Sequence, residues 1–265
     1  MPELPEVETI ARGLRPYLVG ERIVGVDLLW PGVVGTPGPE QFALEIVGRE
    51  IGQVSRRGKF IVMSLRPGKF LLVHLRMTGC LLYNDEPCAA GPRVPEDERH
   101  IRAVLHLASG AMLRFRDMRK FGRLYLVDDP QEIVKGMGPE PLSAELTPLA
   151  LAEALRRRRG RIKPILQDQA TLAGLGNIYV DESLWLAGIH PLRGALTLTD
   201  DDIGRLYDAI REVLGRAIEN KGTTLRDYRN AQDEPGTNQL SLAVYQRQGQ
   251  TCPRCGHTIE RIVVG

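Results

Sequence analysis

The chain has 265 residues, of which 43% are hydrophobic and 26% are charged. This balance is typical of soluble globular proteins and excludes a disordered or fibrous chain, and the length favours two modest domains. The net charge is only +2, so it does not by itself indicate a partner. Because no apolar stretch approaches ~18 residues and the acidic N-terminus does not resemble a secretory signal, we expect a cytoplasmic protein that does not bind membranes.

The first predicted element is an N-terminal helix. Pro5 suits its first turn, and Val7, Ile10, Leu14 and Leu18 recur at the spacing of one helix face. This apolar face is expected to pack against the core of the first domain.

From about residue 22 to residue 127 the sequence consists of short runs rich in β-branched and aromatic residues, which Gly and Pro separate. The predicted strands span residues 23–29, 60–65, 70–75, 101–107, 112–115 and 124–127. Several short strands with turn residues between them predict a β-sandwich or barrel.

The Gly- and Pro-containing stretch 136–141 ends this pattern, and the periodicity beyond it is helical. The predicted helices span residues 148–158, 164–169, 178–187 and 200–220. We therefore expect an α+β protein with a helix and β-sandwich domain at 1–138, a helical domain at 139–238 and a partial β-ribbon at 239–265.

Pro2 and Glu3 carry the first chemical hypothesis. Removal of Met1, expected before a compact residue such as Pro2, would leave a secondary amine with a pKa near ~8, which is partly unprotonated and nucleophilic at neutral pH. Its attack on a sugar C1′ would form an iminium, an electron sink for elimination of the 3′ phosphate, and Glu3 could protonate the ring oxygen. Taken alone these residues are weak evidence, because many chains start with Met-Pro and acids near a helix start stabilise its dipole.

Further motifs follow in order along the chain. They are PELPEVET at 2–9, RGL at 12–14, RGK at 57–59, HLRMTG at 74–79, DMRKFG at 117–122, QDQ at 167–169 and GLGNIY at 174–179. Together they resemble the motifs of bacterial formamidopyrimidine-DNA glycosylases, over essentially the whole chain. The sister branch of endonuclease VIII-like enzymes typically has Gly where Leu4 stands, so the opening favours the formamidopyrimidine branch.

The resemblance implies a bifunctional DNA glycosylase and AP lyase of base excision repair, which removes 8-oxoguanine and formamidopyrimidines from duplex DNA. Pro2 would attack C1′, Glu3 would act as acid and base, and Lys59 would assist strand cleavage by β- and δ-elimination. The expected partner is damaged double-stranded DNA, bound between two domains by a monomer in the bacterial cytoplasm and nucleoid. Two alternatives stay open: a glycosylase for oxidised pyrimidines, and a damaged-DNA-binding protein without catalysis.

The resemblance also implies a set of DNA contacts. His74, Lys163 and Asn177 would contact backbone phosphates. Asn177 lies between two predicted helices and is the expected N-cap of the second, in a helix-two-turn-helix whose free N–H groups suit phosphate binding. Met77, Arg119 and Phe121 would fill the hole that an everted nucleotide leaves in the duplex. By themselves His74, Met77 and Phe121 are more typical of structural or core positions, and Lys59 of a solubilising hairpin lysine.

One segment departs from the family pattern. Residues 222–228 and the loop after them resemble the segment that closes over the everted base. Gly236, Thr237 and Asn238 stand where the resemblance predicts a Gly-Tyr-Phe type of sequence. The preference among lesions therefore stays open.

The four cysteines are too few for a disulfide scaffold. Cys252 and Cys255 form half of a zinc ribbon, whereas a tetrahedral structural site needs four ligands. The resemblance implies one structural zinc ion, held by this pair and a second pair, and a phosphate-binding arginine in the hairpin between them. No second pair precedes Gly265, and His257 lies too close to replace it. We expect truncation relative to the natural chain, because residues 259–264 read as a strand interrupted within a hairpin; a ribbon that works without metal is the alternative.

Overall fold

The computed structural model describes residues 1–85 and 99–264, so Cys88 lies outside the described residues. The chain divides into two compact units. The first contains Met1–Lys135 and Lys221–Gly236, and the second contains Gly136–Asn220 and the chain from Thr237 onward. Residues 221–236 join the first unit because Tyr228 and Ala231 pack in its hydrophobic core. The domain limits predicted at 138 and 238 stay a prediction.

The first unit opens with the predicted N-terminal helix, α1 (Leu4–Leu18). Val7, Ile10, Leu14 and Leu18 are fully buried, which confirms the predicted apolar face. The helix begins directly after Glu3, so the fold holds the start of the chain against the core rather than leaving it as a free tail.

Two sheets follow α1. Their strands are β1 (Ile23–Asp27), β2 (Val34–Thr36), β3 (Glu50–Arg57), β4 (Phe60–Arg66), β5 (Lys69–His74), β6 (Gly79–Asn84), β7 (Ile101–Leu107), β8 (Met112–Asp117) and β9 (Arg123–Val127). One sheet has the order β1-β7-β8-β6 and the other the order β2-β9-β5-β4-β3. Neighbouring strands are antiparallel except β2 and β9, which are parallel.

Side chains from both sheets and from α1 share one core, which includes Met63, Leu71, Leu105 and Phe115. This arrangement confirms the predicted sandwich. The sequence patterns did not predict β2, β3, β6 or a short helix, α2 (Pro39–Ile46). Half-polar strands such as β3, which ends in Ser55, Arg56 and Arg57, lack a continuous apolar run. A last short helix, α3 (Gln131–Val134), follows the sheets.

Helices dominate the second unit. They are α4 (Pro148–Arg156), α5 (Ile162–Gln167), α6 (Asn177–Ala187) and α7 (Asp200–Glu219), so all four predicted helices are confirmed with shifted ends. The side chain of Thr147 accepts the N–H of Ala150 at 3.1 Å at the start of α4. At its other end α6 stops at Gly188, whose φ of 70° is the left-handed conformation that favours glycine.

The C-terminal segment contains little regular structure. A short 3₁₀ helix spans Asn238–Ser241, and from 242 to 264 the described chain forms one isolated antiparallel bridge, between Thr251 and Thr258. Within residues 1–85 and 99–264, no helix has both the length and the apolar character needed to cross a bilayer.

Candidate functional site

The start of the chain is buried. Pro2 and Glu3 precede α1, with Glu3 only 3% exposed, whereas Met1 is 51% exposed. The N–H of Glu3 donates to Oε2 of Glu6 at 2.8 Å. A hydrogen bond from a backbone amide to an acid one turn later fixes the direction in which the chain enters the helix. The backbone next to Pro2 is therefore held in one conformation.

Glu6 also connects α1 to residues 221–236. Its Oε1 accepts the N–H of Thr223 at 2.7 Å, and its backbone carbonyl accepts the hydroxyl of Tyr228 at 3.4 Å. Burial raises the pKa of Tyr228, so its hydroxyl stays a donor, and it also donates to the carbonyl of Lys221 at 3.1 Å. This single carboxylate thus links the start of the chain to the segment that the resemblance assigns to base binding.

Lys59 follows the tight turn between β3 and β4, where Gly58 has a φ of 56°. It is 7% exposed, and burial lowers the pKa of its ammonium group, while the charges of Glu3 and Glu6 act in the opposite direction. Arg56 supports the turn by donating to the carbonyl of Gly58 at 2.9 Å. The structure therefore brings Lys59 into the electrostatic environment of the chain start, as the sequence-based roles require.

His74 ends β5 opposite Phe60 of β4, and the two rings meet edge to face at 4.5 Å. Its Nδ1 accepts the N–H of Arg76 at 3.0 Å, so in the neutral ring the proton sits on Nε2. Burial, with the charges of Arg76 and Lys59, lowers the pKa of His74 to about 3. The ring is therefore a neutral N–H donor at physiological pH.

Met77, Arg119 and Phe121 meet on the surface of the first unit; we call them the insertion cluster. Nη1 of Arg119 lies 3.1 Å from Sδ of Met77, and its guanidinium lies 4.7 Å from the ring centroid of Phe121. Met77 is 43% and Phe121 45% exposed, so neither is a core residue. The structure brings together three residues that the resemblance alone had grouped.

Asp117, which is fully buried, supports the insertion cluster. Its carboxylate accepts the hydroxyl of Thr78 and the N–H groups of Arg119 at 3.1 Å and Gly122 at 2.7 Å. One carboxylate therefore joins the loop that carries Met77 to the loop that carries Arg119 and Phe121. Sequence reasoning did not assign this function to Asp117.

The backbone at the insertion cluster is strained at two positions. Arg76 and Lys120 have φ values of 53° and 59°, in the left-handed region that side chains other than Gly rarely adopt. Such residues persist where the surroundings over-determine the conformation, which is typical of functional sites.

Asn177 is exposed and lies in the second unit, as the first residue of α6. The sequence predicted that Asn177 caps this helix; the N-cap is Gly176, whose extended backbone (φ −139°) begins the helix one residue earlier. Oδ1 of Asn177 accepts Nε2 of Gln167 at 3.0 Å, and its Nδ2 donates to the hydroxyl of Tyr245 at 3.3 Å. The amide orientation is thus set by two partners.

Lys163, the other predicted phosphate contact in the second unit, forms an ion pair. Its Nζ lies 2.7 Å from Oδ1 of Asp181, and its side chain is 12% exposed. Burial raises the pKa of Asp181, while Lys163 acts in the opposite direction. A phosphate at Lys163 would have to share the ammonium with this carboxylate.

Two family models match most of the chain. The model described as the formamidopyrimidine-DNA glycosylase N-terminal domain matches residues 1–124, and the one described as the formamidopyrimidine-DNA glycosylase H2TH domain matches residues 137–229. The chain belongs to the formamidopyrimidine-DNA glycosylase family. The resemblance seen in the sequence motifs is confirmed.

Members of the family match over nearly the whole length. The formamidopyrimidine-DNA glycosylase of Chloroflexus aurantiacus is 49% identical over 267 residues, which cover 100% of this chain and 93% of that protein. That of Herpetosiphon aurantiacus is 48% identical over 269 residues, covering 100% and 95%. A Lactococcus lactis Fpg mutant in complex with Fapy-dG containing DNA has a TM-score of 0.89 at 38% identity, covering 99% of this chain and 95% of that chain. These likenesses confirm the α+β fold.

The family resemblance implies zinc, so the fit of the C-terminal cysteines matters. The N–H of Cys252 donates to the carbonyl of His257 at 2.8 Å, which closes a tight turn around Cys252 and Cys255. Hydrogen bonds, first of all with the side chain of Trp185, lower the pKa of Cys252 to about 6. Among the described residues, no group of three or more His, Cys, Asp and Glu side chains is placed to hold a metal ion. Two thiols do not make a closed structural zinc site.

Proposed function

We propose that this chain is a DNA glycosylase of base excision repair that excises oxidised purines from duplex DNA and then cuts the strand. The observation that carries the proposal is the group at the chain start, where Pro2, Glu3 and Lys59 are all buried and the charges of Glu3 and Glu6 act on Lys59. Family membership supports the same activity. The structural relatives from Lactococcus lactis are complexes with Fapy-dG containing DNA and with abasic site containing DNA.

The proposed reaction begins after removal of Met1, whose exposure suits it to that cleavage. The nitrogen of Pro2 forms a bond to C1′ while the bond from C1′ to the base breaks, and the proton of the amine passes to the departing base. Glu3 protonates the ring oxygen as its bond to C1′ breaks, which leaves the iminium. Loss of a proton from C2′ then expels the 3′ phosphate, and loss of a proton from C4′ in a second elimination expels the 5′ phosphate. The iminium supplies the electron sink, so no step passes through a metal.

Lys59 is suited to proton transfer during elimination. Because burial lowers the pKa of its ammonium group, Lys59 loses a proton more readily than a solvent-exposed lysine. In the proposed reaction it removes or returns protons close to Glu3. Arg56, which donates to the carbonyl of Gly58, supports the turn that carries Lys59.

The insertion cluster supports the base-extrusion step. Met77 and Phe121 supply apolar surface for the space that the everted nucleotide leaves, and Arg119 can donate a hydrogen bond to the unpaired partner base.

Three further residues are proposed to contact the DNA backbone. The neutral ring of His74 donates a hydrogen bond from its Nε2–H group to a phosphate, and Asn177 and Lys163, which belong to the second unit, contact other phosphates. The proposed partner is damaged double-stranded DNA, bound by a monomer in the bacterial cytoplasm.

Borohydride trapping tests the proposal. With an 8-oxoguanine duplex, reduction of the iminium should yield a covalent protein–DNA adduct in the wild type and much less in Pro2→Gly, whose primary amine forms an imine that must be protonated before it can act as an electron sink. Intact mass measured on the same sample establishes whether Met1 is absent, which the reaction requires. Tight binding without an adduct in Met1-free protein would overturn the enzyme in favour of a binding protein. Faster trapping on thymine glycol than on 8-oxoguanine would instead favour oxidised pyrimidines.

A further inference from the structure

Glu182 is a buried carboxylate in the second unit that the proposed reaction does not use. It lies on α6, five residues after Asn177, and is 1% exposed. Its oxygens accept three consecutive backbone N–H groups, from Ala243 at 2.7 Å, Val244 at 2.9 Å and Tyr245 at 2.8 Å.

These three bonds define the path of the segment that they hold. Burying a carboxylate costs free energy unless charge-assisted hydrogen bonds satisfy it. Because three successive N–H groups all donate to Glu182, they restrict the backbone of residues 243–245 to one conformation. The three N–H groups that donate to Glu182 belong to residues outside any helix or strand, so these residues have no helix or sheet hydrogen bonds that could take the place of the bonds to Glu182. Glu182 thus anchors this segment on α6.

Tyr245 connects this anchored segment to Asn177 at the N-terminal end of α6. Its hydroxyl accepts Nδ2 of Asn177, while Gln167 donates to the opposite end of the same amide. Because the two ends of an amide differ in chemistry, this pair of contacts determines which way Asn177 presents its N–H groups.

We propose that Glu182 is a positioning residue for the DNA-backbone contact at Asn177. It holds residues 243–245, and Tyr245 in turn orients the Asn177 amide toward a phosphate. This inference rests on the proposed function in one respect, namely that Asn177 contacts DNA.

A second attachment, at Arg254, keeps the chain beyond residues 243–245 on α6 when Glu182 is changed. The guanidinium of Arg254 lies 4.4 Å from the ring centroid of Trp185 and donates to the carbonyl of Leu186 at 2.9 Å. Substitution of Glu182 should therefore loosen residues 243–245 without releasing the chain beyond them. The expected defect is local.

Glu182→Gln tests the anchor directly. Glutamine has nearly the same size, but one carboxylate oxygen is replaced by an NH2 group. This group cannot accept a hydrogen bond, so at least one backbone N–H of residues 243–245 loses its acceptor. We expect hydrogen exchange at the amides of residues 243–245 to accelerate roughly tenfold or more, and the Kd for an abasic-analogue duplex to rise by up to about fivefold, which is the full loss expected for the Asn177 contact. KM should rise with kcat retained at saturating DNA. Glu212→Gln removes the same charge from an exposed position on α7 and should change none of these values.

A double-mutant cycle separates positioning from general loosening. Asn177→Ala should weaken DNA binding roughly fivefold in the wild type and less than about twofold in Glu182→Gln, because the misplaced amide no longer makes its contact. Tyr245→Phe keeps all three bonds to Glu182 and should give the same non-additive result when combined with Asn177→Ala, so it tests the proposal if Glu182→Gln fails to fold.

The outcomes are distinguishable. Additive effects in both cycles, or unchanged exchange at residues 243–245 in Glu182→Gln, overturn the positioning role while the glycosylase proposal stands. Absence of damaged-DNA binding and of borohydride trapping by the wild type overturns the glycosylase proposal and, with it, this inference.

Discussion

Two regions of the first unit differ in how they use burial. At the start of α1 the groups proposed for chemistry are enclosed, with Glu3 and Lys59 both below 10% exposed. The insertion cluster is the opposite, because Met77 and Phe121 expose almost half of their apolar surface. Burial shifts the pKa of Lys59 and holds the side chains in fixed positions, which suits covalent chemistry. Exposure leaves the apolar side chains of Met77 and Phe121 free to contact a DNA duplex. The same domain thus separates reactivity from recognition.

The comparison implies that substitutions in the buried group at the chain start lower the rate of base excision and leave the affinity for damaged DNA unchanged. Glu3→Gln keeps the shape of the side chain but cannot supply a proton, so excision of 8-oxoguanine in single turnover should slow by about 10²- to 10⁴-fold. Binding to an abasic-analogue duplex should be retained. Glu40→Gln, an exposed charge change in the same unit, serves as the control. Equal losses of rate and affinity would contradict the division of roles.

Asp117 tests how the exposed cluster is held. Asp117→Ala removes the acceptor for Thr78, Arg119 and Gly122 and leaves buried donors unpaired, so the free energy of unfolding should fall by about 3 kcal/mol. Urea denaturation measures this change. Asp27→Ala, at a carboxylate that is 59% exposed, should cost less than about 1 kcal/mol. Similar losses for the two variants would show that Asp117 is not the support of the insertion cluster.

Sequence periodicity sufficed for α1 and α7, because the buried residues of each helix form one apolar face. In α6 the buried residues lie around most of the helix, so its apolar residues show little periodicity. Periodicity did not suffice for β3, whose polar side chains leave no apolar run. The insertion cluster could be grouped only through family resemblance, since 42 positions separate Met77 from Arg119. The roles of the buried acids Asp117 and Glu182 could not be predicted for a related reason. The bonds from Asp117 to Thr78 and from Glu182 to Tyr245 span 39 and 63 positions, and nothing in the local sequence indicates them.

Phe121→Ala sharpens the comparison from the exposed side. Because the ring is 45% exposed and outside the core, the free energy of unfolding should stay within about 0.5 kcal/mol of the wild type. Loss of the wedge should weaken binding to an abasic-analogue duplex by about 1–2 kcal/mol, as for loss of a stacking aromatic side chain. Fluorescence anisotropy with damaged and undamaged duplexes measures both affinities. A large loss of stability with no change in affinity would place Phe121 among structural residues.

His74 provides the smallest expected effect and tests whether its surroundings keep the ring neutral in the folded chain. Its pKa is about 3 in the folded chain and about 6.5 when unfolded, so the unfolded state binds the extra proton between these values. Stability contributed by the neutral ring is therefore complete above pH 6.5 and is lost as pH falls toward 3. Between pH 7 and 5.5 the loss should be about 1 kcal/mol, measured by urea unfolding. His74→Gln should lack this part of the pH dependence. Since the folded ring stays neutral throughout, DNA affinity between pH 6 and 8 should not follow a titration of His74; a transition near pH 6.5 would mean that the ring gains charge when it meets a phosphate.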